Sequence, residues 1–314
     1  MSVLASWVAA AGLLVSEPSA ITVPDGLLAT TSMPELSAIV WNPVLSRYLV
    51  ASDDTGDKLQ GTNHAPWLFA LSLEGRLDST PIPILGLDKL NDAEALCAGP
   101  AGSFFLATSH SANRKGKDKA ERRRLLQLEL SGRTLQIIGA VDLAEAVAAA
   151  GVVPPGGLDI EGLAFRAGAL YVGLKAPQTA TGAALILRIG EVLPALKTGV
   201  LRAEQVQRWA EVPLHVTAAG GSVAQGISDL SFLPDGSLVI LANSPKKLPP
   251  DGGGALWWLR PGGSPLLLRR FPGLKPEGVT LTPDGQALQI VFDTDRQPPL
   301  WLRQALPAAS PAHK

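Results

Sequence analysis

Cysteine occurs once in the 314 residues, at Cys97 within an apolar run. No disulfide can form inside the chain, and a lone thiol in that setting reads as buried and inert. Histidine occurs only four times, at His64, His110, His215 and His313. A surplus of charge is missing as well. Lys and Arg number 27 against 28 Asp and Glu, which argues against a general partner of nucleic acids or other polyanions. No apolar run reaches the roughly 18 residues of a membrane-spanning helix. No Gly-x-Ser-x-Gly elbow, P-loop or dinucleotide fingerprint occurs, which removes support for the nucleotide-fold and α/β-hydrolase enzymes.

What is plentiful is turn punctuation: 32 Gly and 26 Pro, spread between apolar runs. That distribution favours many short strands over long helices. The one strong helical candidate is the Ala-rich "DLAEAVAAAG" at 142–151. Residues 1–19 form an apolar N-terminal segment whose run Val3 to Val15 has the length of a signal-peptide core, but with no Lys or Arg ahead of it and a poor cleavage site. Compartment stays open: cytoplasmic if this segment packs on the domain, periplasmic or secreted if it is a leader. Residues 20–305 read as one domain and 306–314 as a tail.

Inside that domain a phrase recurs: "MPELSAIV" at 33–40, "NDAEALCA" at 91–98, "LDIEGLAF" at 158–165, "ISDLSFLP" at 227–234 and "KPEGVTLT" at 275–282. Each copy starts a short apolar strand. A Pro/Gly/Asp turn follows, then a second strand such as "RYLVAS" or "SLVILANS", then a third such as "WLFALSL" or "ALWWLRP". Units of three or four strands at this interval predict an all-β fold, a β-propeller of five blades. The segment at 20–28 precedes Glu35 as "PLLLRRFPGL" precedes Glu277. The ring is therefore expected to close by pairing both chain ends in the last blade.

The innermost strand of each blade lines a central channel. Aligning the phrases by their acids brings Glu35, Glu94, Glu161, Asp229 and Glu277 into one ring. Five like charges there must either raise pKa values or bind cations. Oxygen donors without Cys suit Ca²⁺, with Mg²⁺ or Mn²⁺ as alternatives, better than Zn²⁺. The competing reading is that these acids accept hydrogen bonds from backbone and basic groups of neighbouring blades. The ends of the second strands add Asp53 and Asp54, His110, Lys175, Asn243, and Asp293 and Asp295. The four aspartates come from the first and last units, neighbours in a closed ring, and form a second metal-site candidate. Lys175 is a lone charge after an apolar strand and suits capture of a phosphate or carboxylate. His110 is a candidate general acid or base. Arg114, Lys246 and Arg296 lie on the same loops. The run 113–124 holds seven basic residues against two acids and reads as a largely solvated loop.

"LDIEGLAF" followed by "LYVGLKAP", with "DAEALC" before and "KPEGV" after, resembles an uncharacterised bacterial family, domain of unknown function 3616. That family is similar to the esterase-like phytase and SdiA-regulated propellers. The resemblance covers roughly residues 30–303. It implies a propeller whose acidic motif surrounds the channel and, by likeness to phytases, Ca²⁺ held by Asp159 and Glu161, Asp92 and Glu94, and Glu277. Lys275 and Met33 stand where the motif has its first acid, and Asp229 lacks the following Gly, so the full phytase set is not present. Three functions follow as expectations. The first is a metal-dependent hydrolase of a phosphoester-like small anion, with Lys175, Arg114 and His110 on the phosphate and Asn243, Lys246 and Arg296 binding substrate. A lactonase-type hydrolase, with Asn243 among the ligands, is its variant. The third is a non-catalytic binding module with a structural acid ring. A monomer is expected.

Overall fold

The computed structural model describes residues 16–53, 65–113, 115–154, 157–218, 221–245, 252–295 and 297–306. Five antiparallel sheets radiate from a common axis as the blades of a propeller. Blade 1 runs outward through Leu36–Asn42, Arg47–Ser52 and Leu68–Leu71. Blade 2 is Ala93–Ala98, Ser103–Thr108, Leu125–Ser131 and Thr134–Val141, with Ile84–Leu85 lying parallel along its outer edge. Blade 3 is Asp159–Arg166, Ala169–Ala176, Ala184–Ile189 and Val206–Val212. Blade 4 is Gly226–Phe232, Leu238–Asn243, Gly254–Leu259 and Leu266–Phe271. Blade 5 is Lys275–Leu281, Ala287–Asp293 and Leu300–Ala305, and its outermost strand is Ser19–Ala20 from the other end of the chain. The ring thus closes between the two ends, as the sequence predicts. Residues 25–28 turn into a short helix instead of extending that strand.

The second strands are buried along nearly their whole length because each blade is sandwiched between two others. That is why they read as unbroken apolar runs rather than alternating ones. Five hydrophobic layers fill the gaps between successive blades, the last joining blade 5 to blade 1 through Ile21, Tyr48 and Val291. Helix Ala144–Ala150 packs into the layer between blades 2 and 3 and stops at Gly151, which takes a left-handed conformation (φ 63°). A second helix, Val192–Thr198, joins the same layer and has no clear sequence signal. A hairpin, His215–Ala218 with Gly221–Ala224, stands between blades 3 and 4.

Adjacent inner strands touch all round the ring. The approach is close enough to demand small residues. A Cβ at Gly278 would lie 2.8 Å from the Ile39 nitrogen of blade 1, and one at Gly162 would lie 3.2 Å from the Asp229 backbone of blade 4. The Gly that follows Glu161 and Glu277 is a packing requirement.

Candidate metal centre

All five inner strands carry a β-bulge at the same height. The register against the second strand slips past Ser37, Glu94, Glu161, Ser228 and Glu277. A bulge leaves one residue unpaired and re-aims its side chain. The structurally equivalent set is therefore three glutamates and two serines. Glu35 and Asp229, aligned with the glutamates by sequence, fall elsewhere. Glu35 stands two residues before its bulge, level with Asp92, Asp159, Gly226 and Lys275. Asp229 stands one residue after, level with Ala38, Ala95, Gly162 and Gly278.

The two serines bind protein. Ser37 Oγ donates to the Ala93 carbonyl (2.6 Å) and Ser228 Oγ to the Pro276 carbonyl (2.7 Å), each reaching the next blade just before its own bulge. Asp229 is saturated as well. Its Oδ1 accepts from Leu230 N and its Oδ2 from Val279 N of blade 5, both at 2.7 Å. The carboxylate expected to hold a metal is used here as a backbone acceptor between blades.

Two glutamates of the ring meet ammonium groups. Lys175, at the end of the second strand of blade 3, pairs with Glu161. Lys275 pairs with Glu277 and, at 2.9 Å, with Asp293 Oδ2. Burial works against both ammonium ions, yet the surrounding carboxylates outweigh it and hold both lysines above the ordinary range. Glu161 keeps its second oxygen, Oε2, buried without a hydrogen-bond partner.

On the other side of the axis, in blades 1 and 2, Asp53, Asp92 and Glu94 each bring a carboxylate oxygen within 4.8 Å of the other two. Asp53 Oδ1 is buried there without a partner. Burial, reinforced by Asp92, pushes Asp53 and Glu94 well above the usual carboxylate range. Three hard oxygen donors with an orphaned oxygen among them fit a divalent cation of the Ca²⁺ type. Asp53 alone represents the four-aspartate candidate at this point. Asp293 is tied to Lys275 and takes a backbone bond from Asp295 N (3.0 Å), Asp295 is an exposed turn residue, and Asp54 lies outside the described residues. Glu35 borders the cluster through its carbonyl, which accepts from Asp53 N at 3.4 Å.

His110 is buried, and both ring nitrogens are taken by backbone: Nδ1 donates to the Thr108 carbonyl (2.8 Å), and Nε2 accepts from Leu143 N (3.3 Å). Burial lowers its pKa and keeps it neutral. It offers no free nitrogen for acid–base work. Arg114, Lys246 and Arg296 lie outside the described residues. Sequence reasoning missed Arg122, which sits in the basic run but is buried against Asp92.

A cleft of about 550 Å³ opens onto the ring from blades 3, 4 and 5. Its polar lining is Asp159, Lys175, Gln178, Asn243, Ser244 and Lys275, with Gly226 where the other blades carry a charge. Burial, reinforced by Glu161, pushes the Asp159 carboxyl up to about 7. Asn243 Nδ2 donates to the Pro276 carbonyl (3.0 Å), while its Oδ1 is buried with no partner. The mouth is thus two-sided, with an acid cluster in blades 1 and 2 and a cleft with two ammonium groups in blades 3 to 5.

No family model matches the chain, so the motif resemblance stands on the quoted residues. No curated protein matches it in sequence. Among solved structures it is similar to a gluconolactonase from Xanthomonas campestris (16% identity, TM-score 0.45, covering 86% of this chain and 72% of that one). It is also similar to regucalcin, a calcium-binding protein from Agrobacterium tumefaciens (12% identity, TM-score 0.43, covering 91% and 97%).

Proposed function

We propose that the protein is a divalent-cation-dependent hydrolase of a small ester or lactone. The observation that carries this reading is the convergence of Asp53, Asp92 and Glu94 on one point with a buried carboxylate oxygen that no group among the described residues satisfies. Asp53, Asp92 and Glu94 would hold the ion, Ca²⁺ by donor chemistry, with Mg²⁺ and Mn²⁺ as alternatives. When bound, it would polarise a substrate carbonyl. The cleft in blades 3 to 5 would seat the rest of the substrate. Asp159 is the proton-transfer group of this scheme, since a carboxyl near 7 is half ionised at neutral pH and can take or return a proton. Lys175 and Lys275 would donate to an electron-rich oxygen, and Asn243 Oδ1 would accept from a hydroxyl.

The phosphoester alternative has less support. It asks for free positive charge, and both lysines of the cleft are already engaged by ring carboxylates. A phosphate dianion would enter a mouth whose described acids outnumber its bases. A second reading has its own observation. The Ser37 and Ser228 bonds each cross to the next blade, and Glu161 and Glu277 are each neutralised by a lysine of their own blade, which supports a structural latch in a binding module.

A thermal melt in EDTA, with Ca²⁺, Mg²⁺ or Mn²⁺ then added back, separates them. A cation-dependent hydrolase gains melting temperature saturably with one ion and turns over an ester or lactone from a screen. Asp159→Asn is then expected to stay folded and lose turnover. A metal-free protein indifferent to all three ions would leave the latch reading.

A further inference from the structure

We infer that Arg122 is the positioning residue of the cation site: it fixes the carboxylate of Asp92 without joining the ligands. The inference rests on the cation-site reading above and adds to it a residue outside the acid cluster.

Arg122 ends the short 3₁₀ turn Ala120–Arg122. Its guanidinium joins three chain segments. Nε donates to the Ser111 carbonyl (2.9 Å), Nη1 to Asn91 Oδ1 (2.6 Å), and Nη2 to Ser109 Oγ (3.2 Å), Ser111 Oγ (3.0 Å) and the Asp92 carboxylate. The backbones of the same segments are knitted in parallel: His110 N donates to the Arg122 carbonyl (2.8 Å), Asn91 N to the Glu121 carbonyl (3.1 Å) and Ser109 N to the Asp92 carbonyl (3.0 Å). At the centre of this knit Asp92 sits at φ 64°, the left-handed region that non-glycine residues seldom occupy. Such a conformation is unfavourable for a residue with a Cβ and persists only where its surroundings hold it. A planar fork aimed at several acceptors provides that hold. A lysine ammonium, a single point on a flexible stem, could not reach the same partners.

The geometry decides one of the three converging oxygens. Asp53 reaches the cluster from the end of a buried strand and Glu94 from a bulge. Asp92 alone comes from a loop in a disfavoured conformation, so its place depends on an outside anchor. Outer residues that orient ligands in this way typically contribute 10–100-fold to metal affinity.

The test is calorimetric titration of the full chain with Ca²⁺, Mg²⁺ and Mn²⁺, well below its melting temperature, for wild type, Arg122→Lys and Arg123→Lys. Arg123 lies on the same turn but pairs with Asp118 and Asp142. The expected result is a loss of about 10–100-fold in affinity for Arg122→Lys with Arg123→Lys unchanged. Equal affinity in wild type and Arg122→Lys overturns the inference and leaves the cation site standing, even where the ion-free melting temperature falls. Equal losses in both variants also overturn it, since the effect is then loop charge. A wild-type chain that binds none of the ions sinks the cation site, and this inference with it. If Arg122→Lys does not fold, Ser111→Ala decides in its place: removing one guanidinium partner should weaken binding, and unchanged affinity counts against the anchor.

Discussion

Asp229 lies one residue beyond the bulge of blade 4, and that single step changes what its carboxylate can reach. On the bulges Glu161 and Glu277 meet ammonium groups and Glu94 meets two aspartates, whereas Asp229 takes backbone N–H groups of Leu230 and Val279. Its replacement should therefore be a stability event. Asp229→Ala strands these two buried donors, each at roughly 1–3 kcal/mol. A domain of this size shifts by about 2–4 °C per kcal/mol. Differential scanning calorimetry should show a melting temperature lower by roughly 4–24 °C, and Asp229→Asn, which retains an acceptor, should lose less. Neither change should alter ion affinity. A weakened ion site in a fully stable Asp229→Ala protein would return Asp229 to the ligand set. Glu161→Gln should behave differently. It dissolves the pairing with Lys175 and removes a charge from the ring, so activity should drop far more than the melting temperature.

At the scale of the element, the inner strand explains what could and could not be read in advance. The blade count, the three-to-four-strand repeat and the closure by both ends are legible because turn residues and apolar runs repeat at a regular interval. Convergence of the acids was legible for the same reason. Register was not. A bulge inserts one residue without any change in composition, so Ser37 and Ser228, which share neither charge nor size with glutamate, gave no sign of being its equivalents. Glu35 and Asp229 were nearer by chemistry and one or two residues away in position. Arg122 was hidden for another reason: within "NRKGKDKAERRR" nothing marks it as an arginine that folds inward. Closure itself is testable at this scale. Ser19–Ala20 pairs with Trp301 and Leu300, and Ile21 continues the pairing through Pro299 while burying its side chain between blades 5 and 1. A chain starting at Ser16 keeps this pairing and is the reference for a shorter one. One starting at Thr22 should melt several degrees lower and less sharply, because it loses Ile21 and opens the edge of blade 5. Equal melts would mean that the seam is held by side-chain packing without the strand.

For the whole molecule, a ring of buried carboxylates sets the pH dependence of stability. Asp159 and Glu277 are pushed up to about 7 by burial, with Glu161 adding to both and the neighbouring lysines opposing. Asp53 and Glu94 are raised by burial and by Asp92, and Asp229 is raised by burial against the pull of its backbone hydrogen bonds. In the unfolded chain all five titrate near 4. Between pH 4 and about 7 the native state therefore binds protons that the unfolded chain does not. Stability from these groups is complete below their unfolded pKa values and is lost as pH rises through the folded ones. His110 acts in the opposite sense, since its folded pKa is lowered and the unfolded chain gains a proton below about 6.5. Five raised carboxylates outweigh one lowered imidazole, so the EDTA-treated protein should melt at a higher temperature at about pH 5 than at about pH 8. A bound cation changes the balance, because it requires the ionised carboxylates and is expelled by protons. Saturating Ca²⁺ should raise the melting temperature at the alkaline end, do little at the acidic end, and so flatten or invert the slope. If the metal-free melt instead falls on acidification from pH 8 to 5, the ring acids are ionised and paired in the native state. The latch of Glu161 and Glu277 with their lysines would then account for the ring without an ion.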